Sequence, residues 1–203
     1  MNTEHNRFTL RELGLDGLHH IYHEHLSHAF PRMERKPLSA MEKLMAAGRY
    51  EALGLYDGEE LAAYALLWDD PEGGYVLLDY LAVCRDKPRG HGYGTAALRL
   101  LLDRCRDRRG LLVEAEAEEP GAEAEEPGAE AEENALRRRR LAFYRRGGFR
   151  DLGYTARIFG VPYAMLVSGQ SDQAGAAEAH RRLYHYEFSP WLYRRFIHIP
   201  EED

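Results

Sequence analysis

The chain has 203 residues, 44% hydrophobic and 11% aromatic, which suits one globular domain with or without an appendage and excludes a disordered chain. No apolar run approaches the roughly 20 residues of a membrane span, the first residues lack a secretion-signal pattern, and two cysteines are too few for a disulfide framework. The expectation is a protein of the reducing cytoplasm with no membrane partner. Net charge is −7, but residues 114–133 carry ten Glu and no basic residue, so the rest of the chain stands at +3. The acidity belongs to one segment, and nucleic acid is not an expected partner.

Residues 8–13 alternate and predict a first strand. Helical periodicity over 16–30 and 39–47, with Pro31 and Pro37 between, predicts two helices. The first carries His19, His20, His23, His25 and His28. His19 and His23 fall at i, i+4, a zinc-ligand spacing, but Ser27 stands where H-E-x-x-H needs its second His. Solvated histidines, or histidines lining an acceptor site, are expected instead. Runs 49–56 and 60–68 flank Asp57-Gly58, a hairpin pair. Residues 75–83 are apolar on both faces, as a central strand requires.

Past Pro88 the chain reads Arg89-Gly90-His91-Gly92-Tyr93-Gly94-Thr95, and a helix-forming run starts at Ala96. Ala97, Leu98, Leu101, Leu102 and Cys105 share its core face. Glycines before a helix leave backbone N–H groups open to an anion such as a pyrophosphate. A P-loop would need Lys-Ser/Thr, and a Rossmann turn would need a glycine at Thr95. The spacing that fits is Arg-x-x-Gly-x-Gly, at Arg89, Gly92 and Gly94.

After a strand opening at Leu111-Leu112-Val113, Glu-Ala-Glu-Glu-Pro-Gly-Ala occurs at 116–122 and 123–129 and restarts at 130. Pro-Gly in each unit excludes a heptad helix. Residues 117–132 are expected to be a solvated, disordered loop, with an acidic fringe that attracts cationic amines as the alternative. Arg137–Arg140 circle a helix and are expected to pair with the Glu run. That helix carries Asn134-Ala135 and ends in Phe143-Tyr144-Arg145-Arg146-Gly147-Gly148-Phe149. Strands at 150–159 and 162–168 follow, then a linker at 170–180, a helix at 177–187, and a helix over 191–198 started by Ser189-Pro190. The apolar load from Leu183 to Ile197 must pack on the domain or on a second subunit, as in a homodimer.

The Arg89-x-x-Gly92-x-Gly94 spacing resembles the acetyl-CoA pyrophosphate loop of the GNAT N-acetyltransferases. Asn134-Ala135 with Phe143-Tyr144 and Gly148-Phe149 is similar to that family's N-x-x-A…F-Y-x-x-x-G-F signature, although Ala135 here follows Asn134 directly. The likeness spans about residues 7–168. It implies an α/β fold with a mixed, mostly antiparallel central sheet and flanking helices (the acyl-CoA N-acyltransferase fold) over residues 1–169, with 170–203 a C-terminal helical extension. It implies acetyl-CoA as acyl donor and no metal. On this resemblance Leu81, Ala82 and Val83 bind the pantetheine arm and thioester carbonyl. Arg89, Gly90, His91, Gly92, Tyr93, Gly94 and Thr95 hold the pyrophosphate, Asn134 belongs to the cofactor site, and Tyr144 stands beside the sulfur.

Acetyl transfer needs a deprotonated amine, a donor for the developing oxyanion and a proton for the departing thiolate. Tyr144, with an ordinary pKa near 10, is the candidate acid for a thiol near 8.5. Candidate bases are Glu116 first, then Glu114, on the same face of the fifth strand if it runs through 116, and Asp79, on the fourth strand and the face of Leu81 and Val83. An amine that deprotonates in solvent needs none of them. The expected activity is acetyl transfer to a primary amine, on a small molecule or peptide, by direct attack in a ternary complex. The rival is a non-catalytic acyl-CoA-binding module.

Overall fold

Alternating or doubly apolar runs make strands, and among the described residues eight of them join in one sheet. They are β1 (Phe8–Leu13), β2 (Tyr50–Asp57), β3 (Glu60–Asp69), β4 (Tyr75–Val83), β5 (Gly110–Glu116), β6 (Arg150–Ile158), β7 (Val161–Val167) and β8 (Ile197–His198). The computed structural model describes residues 7–88, 90–118, 129–169 and 172–200. Sheet order is β1-β2-β3-β4-β5-β7-β6-β8. Every pairing is antiparallel except β4 with β5. A parallel pair needs a crossover, and α4 (Tyr93–Arg104) supplies it.

Helices cover both faces. α1 (Leu15–Ile21), α3 (Leu38–Ala46) and α6 (Gln173–Glu187) pack on one side, with Leu18, Met41 and Leu183 against Tyr50, Trp68 and Leu77. α4 and α5 (Ala129–Arg146) pack on the other, with Leu101, Leu141 and Tyr144 against Val76, Leu78 and Val113. β3 and β4 lie between the layers, which is why their sequences are apolar on both faces.

The first helical segment departs from plain α geometry. Tyr22–Leu26 is a π-turn between α1 and the short α2 (Ser27–Ala29). The turn of the first hairpin centres on Gly58-Glu59, because Asp57 pairs with Glu60 and Gly58 is left-handed (φ 64). α4 starts at Tyr93, three residues ahead of Ala96, because left-handed Gly92 (φ 78) lets the chain enter the helix there. α5 starts at Ala129, inside the expected loop 117–132. The third repeat unit lacks Pro-Gly, so its Ala and Glu residues extend the helix. Residues 119–128, most of that loop, lie outside the described residues.

The C-terminal region differs more. The small residues that read as linker belong to α6, which starts at Gln173 and is capped by Asp172 accepting from the Gly175 amide at 2.5 Å. Ala176 and Ala179 are fully buried, and their size lets the helix lie close to the sheet. Arg182 forks onto the buried Asp70 with bonds of 3.0 and 2.7 Å, fastening α6 to the β3–β4 connection. α7 (Pro190–Phe196) has the expected Ser189 cap, but Ile197-His198 leave the helix and pair with β6 as β8. The apolar load is not wholly packed: Trp191 is 63% exposed.

Candidate active site

The parallel ladder between β4 and β5 runs from Tyr75–Gly110 to Leu78–Val113 and stops. Beyond it β4 stays paired with β3 as far as Val83, and β5 with β7 as far as Glu116, so the two strands part. A bulge lies at the fork. Tyr80 opposes Leu66 and Leu78 opposes Leu67, which leaves Asp79 as the extra residue on β4. A bulge bends the strand and re-aims one side chain. Between the parted strands opens a cavity of about 700 Å³. Leu81, Ala82, Val83, Gly94, Phe143 and Tyr144 line it toward α4 and α5; Phe30, Glu34, Lys36, Tyr163, Tyr184 and Phe188 line it on the other side.

The bulge corrects one expectation. Asp79 does not share the face of Leu81 and Val83; it turns to the side of Tyr80, where the Tyr50 hydroxyl donates to its Oδ2 at 2.5 Å. Lys36 Nζ stands 3.8 Å from the same oxygen, 2.6 Å from Glu187 Oε2 and 3.5 Å from the centre of the Trp68 ring. Among the described residues Oδ1 has no hydrogen-bond partner. Burial pushes the Asp79 carboxyl up to about 6, against the opposing pull of Lys36 and the Tyr50 hydrogen bond.

β5 does run through Glu116, so Glu114 and Glu116 share a face, yet they meet different neighbours. Glu114 is held by α6: His180 Nε2 lies 2.8 Å from Oε1, and the Tyr184 hydroxyl lies 2.8 and 3.0 Å from its two oxygens. Glu116 is clamped by α5, with Arg137 Nε at 3.1 Å and Arg140 Nη1 at 2.6 Å. Burial works to raise its pKa, but the hydrogen bonds and charges of Arg140 and Arg137 outweigh it and hold Glu116 below the ordinary carboxylate value. Arg137 and Arg140 thus pair with Glu116, and Arg138 with Glu118 at 3.6 Å, so three of the four arginines meet the Glu run as expected.

Tyr144 is 7% exposed and its ring packs against Phe143 and Phe149. Among the described residues its hydroxyl makes no hydrogen bond, and burial raises its pKa to about 12. Asn134 is buried and accepts from Arg137 Nη1 at 3.2 Å. Gly90 (φ 84) and Gly92 (φ 78) are left-handed, with open space around both, and His91 and Thr95 are exposed. The Tyr93 side chain is buried edge-to-face against Phe8, and its other neighbour is the His91 ring of the turn, stacked on it at 6.1 Å. The first amides of α4 have no partner within the helix. Arg89 lies outside the described residues.

Several cavity residues were not foreseen. Glu34 ends a short 3₁₀ helix (Arg32–Glu34) and Lys36 follows it, both between Pro31 and Pro37; Tyr80 fixes this segment by accepting from the Lys36 amide at 2.7 Å and donating to the Glu34 carbonyl at 2.9 Å. Glu187 and Tyr184 arrive from α6. No spacing links these positions to residues 79–95; only the tertiary arrangement does.

Residues 15–126 match the family described as the acetyltransferase (GNAT) family. No curated protein sequence matches the chain. Among solved structures, it shares its fold with a GNAT-family acetyltransferase from Bacteroides thetaiotaomicron, at 18% identity over 88% of this chain and 98% of that one, with a TM-score of 0.65. The ribosomal-protein-S18-alanine N-acetyltransferase from Escherichia coli is 23% identical over 81% and 95% of the two chains, TM-score 0.54. A Bacillus subtilis acetyltransferase in complex with CoA is 14% identical over 81% and 98%, TM-score 0.51. These identities show the fold. The family match, which covers more than half of the sequence, shows the kinship: the chain belongs to the GNAT family of acetyltransferases.

Proposed function

We propose that the protein moves an acetyl group from acetyl-CoA to a primary amine, with donor and acceptor bound together in the cleft between β4 and β5. The observation that carries this reading is the parting of the strands after Leu78 and Val113, with a carboxylate at the fork. Beyond the fork, the backbone of Leu81–Val83 is free of β5 and can bind the pantetheine arm and meet the thioester oxyanion. The turn at Gly90–Thr95, with Arg89 before it, offers open α4 amides to the pyrophosphate. On the opposite wall Lys36 already neutralises Glu187 at 2.6 Å, and Glu34 and Glu114, among Phe30, Tyr163, Tyr184 and Phe188, are the carboxylates that would receive a cationic amine.

Asp79 is the better base, in place of Glu116. Its pKa of about 6 and unengaged Oδ1 suit proton acceptance near neutrality, whereas two guanidiniums stabilise Glu116 as a carboxylate. Removing a proton from a free ammonium of pKa near 10.4 would be uphill by roughly 4 units. The amine therefore attacks in its neutral form, its first proton lost to solvent, and Asp79 takes the remaining proton once the nitrogen has bonded to the carbonyl carbon and lost its basicity. Glu114, bound by His180 and Tyr184, holds α6 at the acceptor wall.

Tyr144 acts on the sulfur. A whole proton passing from a hydroxyl near 12 to a thiolate near 8.5 is uphill by about 3.5 units, on the order of 5 kcal/mol. The hydroxyl therefore serves as hydrogen-bond donor to the departing thiolate, and the thiol proton comes from solvent as CoA leaves. CoA release measured with acetyl-CoA and a panel of diamines, amino acids and peptide N-termini tests the reading. Tight acetyl-CoA binding without turnover of any amine would favour the acyl-CoA-binding module.

A further inference from the structure

On the far side of the turn that leads into α4, three chemically different metal donors converge. The His25 imidazole, the Cys84 thiol and the Asp86 carboxylate each present a donor atom within 4.8 Å of the other two. Cys84 and Asp86 come from one tight turn, closed by the Lys87 amide donating to the Cys84 carbonyl at 3.0 Å. The Cys84 amide donates to the Ala62 carbonyl at 2.9 Å, which fixes this buried residue at the end of the sheet. His25 comes from the π-turn Tyr22–Leu26. Residues i and i+5 face apart on an α-helix, but the wider turn brings the His20 and His25 rings edge to face at 5.4 Å. Tyr64 stacks on His25 at 6.2 Å and 28°, so the imidazole is held between two rings. The competing contacts are weak: the Arg85 amide donates to His25 Nδ1 at 3.4 Å, and Lys87 Nζ stands 4.0 Å from Asp86.

We propose that His25, Cys84 and Asp86 form a binding site for a divalent ion of the zinc class, with water or the His20 imidazole as fourth ligand. Thiolate, imidazole and carboxylate together suit tetrahedral Zn²⁺, whereas Mg²⁺ and Ca²⁺ want oxygen donors. Ligand atoms around tetrahedral zinc stand roughly 3.3–3.8 Å apart, so a spread of up to 4.8 Å closes with about 1 Å of side-chain movement. As the sulfur–metal bond forms, the thiol proton passes to solvent. The ion would clip the π-turn Tyr22–Leu26 to the turn entering Gly90–Thr95, linking its occupancy to the firmness of the proposed cofactor loop.

The test is titration of the chelator-treated protein with Co²⁺. One equivalent should produce tetrahedral ligand-field bands and a thiolate-to-cobalt charge-transfer band, both bleached by one equivalent of Zn²⁺. Cys84→Ser should abolish the charge-transfer band. His25→Gln, and Asp86→Asn at an exposed position that does not endanger folding, should each weaken zinc about tenfold or more in competition with a chromophoric chelator. Cys105→Ser should change nothing. The proposal is overturned if no sulfur band appears, if it survives Cys84→Ser, or if Asp86→Asn and His25→Gln titrate like the unaltered protein. Binding by surface histidines alone gives no sulfur band and counts against it.

Discussion

Asp79 and Glu116 line one cavity from the two sides of a fork, and their surroundings give them opposite characters. On β4, a bulge turns Asp79 into the apolar layer with one oxygen held by Tyr50 and the other unengaged, and its pKa rises to about 6. On β5, Glu116 meets two arginines from α5, and its pKa falls. Two carboxylates of similar intrinsic acidity are thus driven apart, one pKa raised and the other lowered, by what packs against them.

The sharpest way to break this contrast is Asp79→Asn. It should lower kcat on the order of 10²-fold or more, and remove the rise in kcat/KM through pH 6 that adds to the amine's own ionisation. The sign for stability is opposite. A carboxyl whose folded pKa lies above its unfolded value of 3.8 contributes stability that is complete below pH 3.8 and lost as pH rises through 6. The charged Asp79 then costs roughly 2 pKa units, on the order of 3 kcal/mol. Asp79→Asn should therefore melt higher than the unaltered protein at pH 7–8, with the gain vanishing toward pH 4. A less stable variant at pH 8 would remove the burial account.

Tyr144→Phe comes next, with kcat reduced roughly 10- to 100-fold and acetyl-CoA affinity unchanged by calorimetry. Full activity would make Tyr144 a packing residue. Gly92→Val should weaken acetyl-CoA about tenfold. The space there is open, so the strain comes from a β-branched residue at φ 78. Unchanged affinity would move the donor away from this turn.

Glu116→Gln sharpens the comparison from the other side. Activity should fall only a few-fold, with about 1 kcal/mol of stability lost from the arginine clamp; a loss matching that of Asp79→Asn would reverse the two assignments. The smallest effect is expected from changing Glu119, Glu123, Glu125 and Glu126 together to Gln. The kcat/KM for a cationic amine should change less than about twofold, whereas a larger fall at low salt that shrinks with ionic strength would show steering.

Much of the fold was legible because it rests on local rules. Doubly apolar residues 75–83 could only be a central strand, the Ser189 cap lies where expected, and the glycine spacing marked the entry to α4. Misreadings arose where tertiary contacts override local preference. Gln173–Ala176 read as linker because small residues carry no apolar signal, yet smallness is what lets α6 approach the sheet. Ile197-His198 were read as helix but extend as β8 because β6 offers an edge to pair with.

The sequence by itself determined the family likeness, the cofactor-side motifs and the order of the central elements, because each is written in short-range spacing or in apolar periodicity. Only the tertiary structure decided which carboxylate can take a proton. That depends on one bulge at Asp79, on two arginines from α5, and on Lys36, Glu187 and Tyr184, which are distant in sequence and meet where the strands part. A pKa is set by burial and by the charges within a few ångströms, and no spacing along the chain encodes either.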